Sequence, residues 1–169
     1  MKKLLSFILA AVLSISLVAC QSADDAVEAK VWDSSELETM LQTVADTTEY
    51  SSDEYKEFVS LNCQAYELPA EMEEYNLGST ELVYSRAVMF EPMMSSQAFS
   101  LAMFTTETAE EATTLAETLP TTVNPAKWVC VSVEEDDIIA VANGNLVFLV
   151  MAEDAQNFVD AFNTMVSEG

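Results

Sequence analysis

The residues of this chain with chemistry to offer are few: three cysteines, one arginine and two dense acidic runs, with no histidine anywhere. Cys63 and Cys130 lie far apart in the sequence and belong to no CxxC pair, and neither has an adjacent base to lower a thiol pKa, so redox or nucleophilic chemistry is not expected of them. In an exported chain they form an even pair, which leaves a disulfide or two buried free thiols. A disulfide closing so long a loop contributes about 3–5 kcal/mol when unstrained. The acidic runs Glu71-Met72-Glu73-Glu74 and Glu134-Glu135-Asp136-Asp137 offer hard oxygens, but neither has the alternating spacing that aims successive carboxylates at one calcium ion. They read as solvated charge, and no metal and no cofactor is expected. Arg86 is the lone arginine, suited to a salt bridge with one of many carboxylates or to an anionic group of a ligand. Pro92-Met93-Met94, in a connection between two strands, suits an adaptable apolar contact surface. Trp128 is a further candidate for contact with a ligand or partner. Among the many acids no pair stands out for acid/base work on a sugar, and a carboxylate-dependent hydrolase is the weakest of the readings.

The third cysteine is of another kind. Met1-Lys2-Lys3 opens an apolar stretch from Leu4 to Ala19, and Leu17-Val18-Ala19-Cys20 ends it before the polar Gln21-Ser22-Ala23-Asp24-Asp25. A basic start, an apolar run and small residues before the cut mark a secretory signal. The last four residues have the pattern of a bacterial lipobox, whose cysteine is acylated and becomes the new N-terminus. The expected organisation is a signal peptide over 1–19, a lipidated cysteine and polar tether over 20–32, and a single domain over 33–169. A plain transmembrane anchor is the competing reading, since the apolar stretch nearly reaches a spanning length. Lipidation at Cys20 implies attachment to the membrane through acyl chains on its extracytoplasmic face, with a reach of roughly 35 Å from Cys20 to the domain.

Charge narrows the partners. The chain carries 29 Asp plus Glu against 6 Lys plus Arg, a formal charge of -23. Lys2 and Lys3 leave with the signal, so Lys30, Lys56, Arg86 and Lys127 face 29 acids and the charge deepens to -25. Nothing in such a chain can neutralise a row of phosphates, which excludes nucleic acid. An anionic bilayer surface repels it as well, so the lipid must provide the attachment. Three glycines leave no room for a phosphate-cradling loop.

Periodicity supplies the elements. Leu37, Met40, Leu41 and Val44 recur at helical spacing after a Ser35/Glu38 capping box, and a second helix opens with Ser51 and Glu54, continues through Tyr55, Phe58 and Val59 and on over Asn62 to Ala65, and ends near Pro69. Residues 81–90 and 98–104 read as strands, the second with Phe99, Leu101 and Met103 on a core face and small residues on a lightly covered one. Thr108 and Glu111 box a helix carrying Ala112, Leu115, Ala116 and Leu119, which Pro120 stops. Residues 138–142 and 145–151 flank Asn143-Gly144, a type I′ hairpin signal, and Asp154 caps a closing helix with Phe158, Phe162 and Met165 on its inner stripe. The reading is an α+β fold in which two ββα units form an antiparallel sheet with helices packed on one face, preceded by N-terminal helices. Residues 125–134 give conflicting signals: Val129, Val131 and Val133 alternate as in a strand, while Asn124-Pro125 opens a helix.

This order of elements, with Gly144-Asn145-Leu146-Val147-Phe148-Leu149-Val150 followed by the acidic cap Glu153-Asp154, resembles a family of lipoproteins of Gram-positive anaerobic bacteria that carry the domain of unknown function numbered 4358. The resemblance covers roughly residues 35 to 166. It implies the extracytoplasmic location, an α+β fold and a short helix before the final hairpin, from which the valine run departs, and it carries over no catalytic residue. The expected function is a non-enzymatic, lipid-anchored module of the cell envelope that binds another envelope protein. The alternative is a receptor for a small ligand or peptide, feeding a transporter or sensor, with Arg86 or the tryptophans at a pocket wall.

Overall fold

The computed structural model describes residues 30–94 and 96–168. The expected signal peptide, Cys20 and the tether up to residue 29 lie outside the described residues. The elements run α1 Ser34–Thr47, α2 Asp53–Asn62, β1 Cys63–Glu67, a 3-10 turn at Ala70–Met72, and α3 Glu73–Leu77. They continue with β2 Arg86–Pro92, β3 Phe99–Thr105, α4 Ala109–Thr122, a second 3-10 turn at Glu135–Asp137, β4 Ile138–Asn143, β5 Leu146–Ala152 and α5 Ala155–Glu168. The five strands form one antiparallel sheet in the order β1-β2-β3-β5-β4.

The α+β class and the antiparallel sheet stand as read, but the helices cover both faces. One face carries Val88, Phe90, Phe99, Leu101, Met103, Phe148 and Val150 against α1, α2 and α5. The other carries Ala87, Met89, Ala102, Phe104, Val147, Leu149 and Met151 against α4, through Ala112, Leu115 and Leu119, and against Leu77 of α3 and Trp128. The physical reason is in the central strands: β3 and β5 are buried at all seven positions each, so either face left bare would expose apolar area. Ser100 and Ala102, the small residues that suggested light cover, lie under packed neighbours. Strands β3 and β4 run parallel with β5 between them, so α4 is a crossover helix, confined to one face by the handedness of such connections.

Several local signals resolve differently from the sequence reading. The α1 box is Asp33 with Glu36, two residues earlier than Ser35 with Glu38, and α2 is capped by Ser52 rather than Ser51. The Thr108/Glu111 box is present, and α4 runs two residues past Pro120, where little of the helix remains to be disrupted. Helix α2 stops at Asn62, and the residues that seemed to continue it form edge strand β1. Residues 125–134 are neither helix nor strand. The amide of Val133 donates to the carbonyl of Pro125 at 3.0 Å, folding the segment back on itself, and Cys130 sits at φ 61, which breaks the extended run. The final hairpin turns on Gly144-Asn145 between the paired Asn143 and Leu146, and of these two only Gly144 has positive φ, the pattern of a type II′ turn instead of type I′. Asp154 stands at φ 63 before α5, with its carboxylate accepting the Ser51 amide at 3.0 Å, so it ties α5 to the start of α2.

Candidate functional site

The chain enters the fold at Lys30–Trp32, and Asn145 holds it there. The hairpin turn presents the Asn145 amide between the ends of β3 and β5, where its Nδ2 donates to the Lys30 carbonyl at 2.9 Å and the Thr106 carbonyl at 3.1 Å, and its Oδ1 accepts Trp32 Nε1 at 3.3 Å. Trp32, expected in the tether, packs against the core. Lys30 Nζ lies 3.4 Å from the centre of the Trp32 ring and 3.2 Å from Glu36. The Asp33 amide, with help from Lys30, holds Glu36 below the usual carboxylate range. Around this clasp lies an open cleft of about 360 Å³ that also reaches Ser85, Arg86 and Glu107. Arg86 does not point at an empty anion site: it bonds Glu67 at 2.8 Å and the Ser34 hydroxyl at 2.7 Å. Of the two expectations for Arg86, the salt bridge is the one the fold uses.

The opposite end of the sheet carries the exposed methionines. Met93 and Met94 are 71% and 72% exposed after β2, and the Met93 amide bonds the carbonyl of Asn62, next to Leu61 at 70% exposure. Met89 and Met103 are fully buried, so the methionines divide into core fillers and surface residues. The seven-residue β3 separates this tip from the Asn145 clasp by about 20 Å.

Trp128 does not serve as a surface contact. It is buried in the α4 layer beside Lys127, a residue that gave no spacing signal. The Lys127 side chain is 1% exposed, with Nζ 2.5 Å from Glu91 Oε1, 3.1 Å from Asn76 Oδ1 and 3.3 Å from Ser100 Oγ. Tyr66 donates to the second Glu91 oxygen at 2.6 Å, and Tyr75 donates to the Lys127 carbonyl. Burial pushes the Lys127 ammonium below the ordinary lysine range, and Glu91 works against that shift. A serine beside a buried lysine has the composition of an acyl-transfer dyad, but a general base must be able to lose its proton and meet substrate. Here Glu91 is ion-paired to the ammonium, and Ser100 has no exposed surface. The cluster therefore acts as a polar lock joining α3, β2, β3 and the 124–133 loop. The sequence trace of it is slight: one of four basic residues outside the signal, placed in the apolar setting Ala126-Lys127-Trp128-Val129.

Cys63 and Cys130 are free thiols, not a disulfide. Cys63 packs on the α1, α2 and α5 side, where burial pushes its thiol up to about 12. Cys130 is exposed in the loop whose Trp128 and Val131 pack on the α4 side, so the sheet stands between them. Among the described residues no group of three or more metal-ligating side chains converges, and no helix is long and apolar enough to cross a membrane. No protein-family model matches the chain, and no curated protein or solved structure matches it significantly.

Proposed function

We propose that this chain is a lipid-anchored, non-catalytic binding module on the extracytoplasmic face of the membrane, related to the lipoproteins with the domain numbered 4358, and that it docks another envelope protein. The observation that carries this reading is the polarity of the sheet. Lys30 is held at the Asn145 end, where a chain tethered at Cys20 would enter, and the exposed apolar side chains of Leu61, Met93 and Met94 gather at the other end, while Val31, 91% exposed, stays at the entry. Methionines suit such a surface because an unbranched thioether adapts to its partner. A second reading, a small-ligand receptor, draws on the cleft beside Trp32 and Arg86. The salt bridges of Lys30 with Glu36 and Arg86 with Glu67 favour the first, since both cations of the cleft are already engaged.

Two measurements test it. Cys20→Ala in the full chain is expected to move the protein out of the membrane fraction or block its processing, whereas anchoring unchanged from wild type would support a transmembrane segment instead. A photo-crosslinking residue at Met94 in living cells is expected to capture one discrete protein, and the same probe at exposed Thr113 on α4 is expected to capture none. Identical capture from both positions, or none from Met94, would count against the docking tip.

A further inference from the structure

Among the described residues strand β4 ends the sheet, paired only with β5. Because the hairpin closes at the Asn143–Leu146 pair, alternation along an antiparallel ladder turns the N–H and C=O groups of Asn143, Val141 and Ile139 inward. Those of Ala140 and Ala142 point away from β5, and among the described residues no other backbone group takes them up. Natural edges are usually blunted by charge, proline or a bulge. Ile138-Ile139-Ala140-Val141-Ala142-Asn143 has no charged residue and no proline, and after Ile138 it is partly or fully exposed along its length. Its side chains are walled by α4 on one face, through Ile138 and Ala140, and by α5 on the other, through Ile139 and Val141. The edge is thus a shallow slot with free backbone groups along its floor.

The charge around the slot selects what fits. Glu134, Glu135, Asp136 and Asp137 lead directly into β4, and burial together with the charges of Glu134 and Asp136 pushes the Asp137 carboxyl up. Pairing β4 with β4 of a second copy would bring together two chains of strongly negative charge, with no lysine or arginine within Glu134–Asn143 of either to offset it. An extended segment with basic residues at one end has the complementary pattern. We infer that β4 accepts, by strand addition, an extended segment of a partner protein, with alternating apolar residues over Ala140 and Ala142 and lysine or arginine beside Glu134–Asp137. This rests on the binding-module reading and uses a surface separate from the Met93–Met94 tip. Antiparallel addition places the C-terminal end of the segment at the acidic run.

The test uses the full chain in detergent and a labelled peptide of alternating valine and threonine ending in three lysines, followed by fluorescence anisotropy. Saturable binding is expected, weakening as salt rises, with the Ala140 and Ala142 amides gaining protection from hydrogen exchange. Ala140→Pro removes only an outward N–H, a change that edge strands tolerate, and is expected to weaken binding by about tenfold or more. Glu134→Gln with Glu135→Gln is expected to weaken the lysine peptide and leave a peptide ending in three serines unaffected. Absence of binding to wild type, binding without protection of these two amides, or equal binding by Ala140→Pro overturns the inference. A dimer that Ala140→Pro converts to monomer also overturns it, because a second copy would then occupy the edge. Should Ala140→Pro misfold, the exchange pattern of the wild type still decides. Loss of peptide binding with intact crosslinking at Met94 sinks the edge alone, and loss of Met94 crosslinking sinks the docking tip.

Discussion

Glu91→Gln is expected to lower the unfolding free energy by about 3–5 kcal/mol, the usual cost of leaving one partner of a buried ion pair uncompensated. Among the described residues the carboxylate is the only counter-charge bonded to Lys127, and the two side chains are 13% and 1% exposed, so water cannot replace it. Glutamine keeps the shape and an acceptor for Nζ, which isolates the charge from the packing. Glu91→Leu with Lys127→Met removes both charges, yet it should recover only part of the loss. Asn76, Ser100 and Tyr66 would each lose a partner, and a buried polar group without one costs about 1–3 kcal/mol. The pH dependence gives a sharper check. Lys127 has a folded pKa below its unfolded value, so between the two the unfolded chain binds more protons and stability rises with pH. Glu91 opposes that shift, so glutamine at 91 deepens it and opens the window further towards neutrality. The deficit of the variant relative to wild type should therefore shrink as pH rises from neutral towards ~10, the ordinary lysine range. Urea unfolding of both proteins across that range measures it. A deficit that does not change with pH would mean that Lys127 carries no desolvated charge.

What the sequence made legible follows from how local each signal is. Strands β2, β3, β4 and β5 announce themselves by apolar runs joined through short connections, and Thr108 with Glu111 marks the start of α4 within four residues. Strand β1 was hidden because Cys63 to Glu67 pairs with Glu91 and its neighbours across more than twenty residues, and its own mixture of small and polar side chains fits the end of a helix equally well. The division of helices between faces depends on a crossover, which no local period records. Arg86 was legible as a salt bridge but its partner was not, since Glu67 is one carboxylate among 29 and meets it only through the pairing of β1 with β2. The Lys127 lock was missed for the same reason. A lone lysine has no spacing, and Asn76, Glu91 and Ser100 come to it from three separate elements.

Gly78→Ala is expected to lower stability by about 2–5 kcal/mol. Gly78 ends α3 at φ 72, donating its amide to Glu74 at 3.0 Å, and that backbone conformation alone costs a side-chain-bearing residue about 1–2 kcal/mol. A Cβ there would also fall 1.8 Å from the carbonyl oxygen of Thr122 and 2.7 Å from its carbon, at the last residue of α4. Backbone cannot swing aside as a side chain does, so α3 must back away from α4, adding about 1–3 kcal/mol. Gly144→Ala is the control, because Gly144 has φ 58 with open space where its Cβ would go and should pay only the conformational part. Thermal or urea unfolding of the two variants separates contact from conformation. The displacement has a further consequence: Asn76, two residues before Gly78, holds Lys127 through Oδ1, so a shifted α3 draws that acceptor away from the ammonium. Gly78→Ala and Glu91→Gln therefore disturb one network, and a double-mutant cycle between them should depart from additivity by about 0.5 kcal/mol or more. Strict additivity would show that α3 absorbs the clash without moving Asn76.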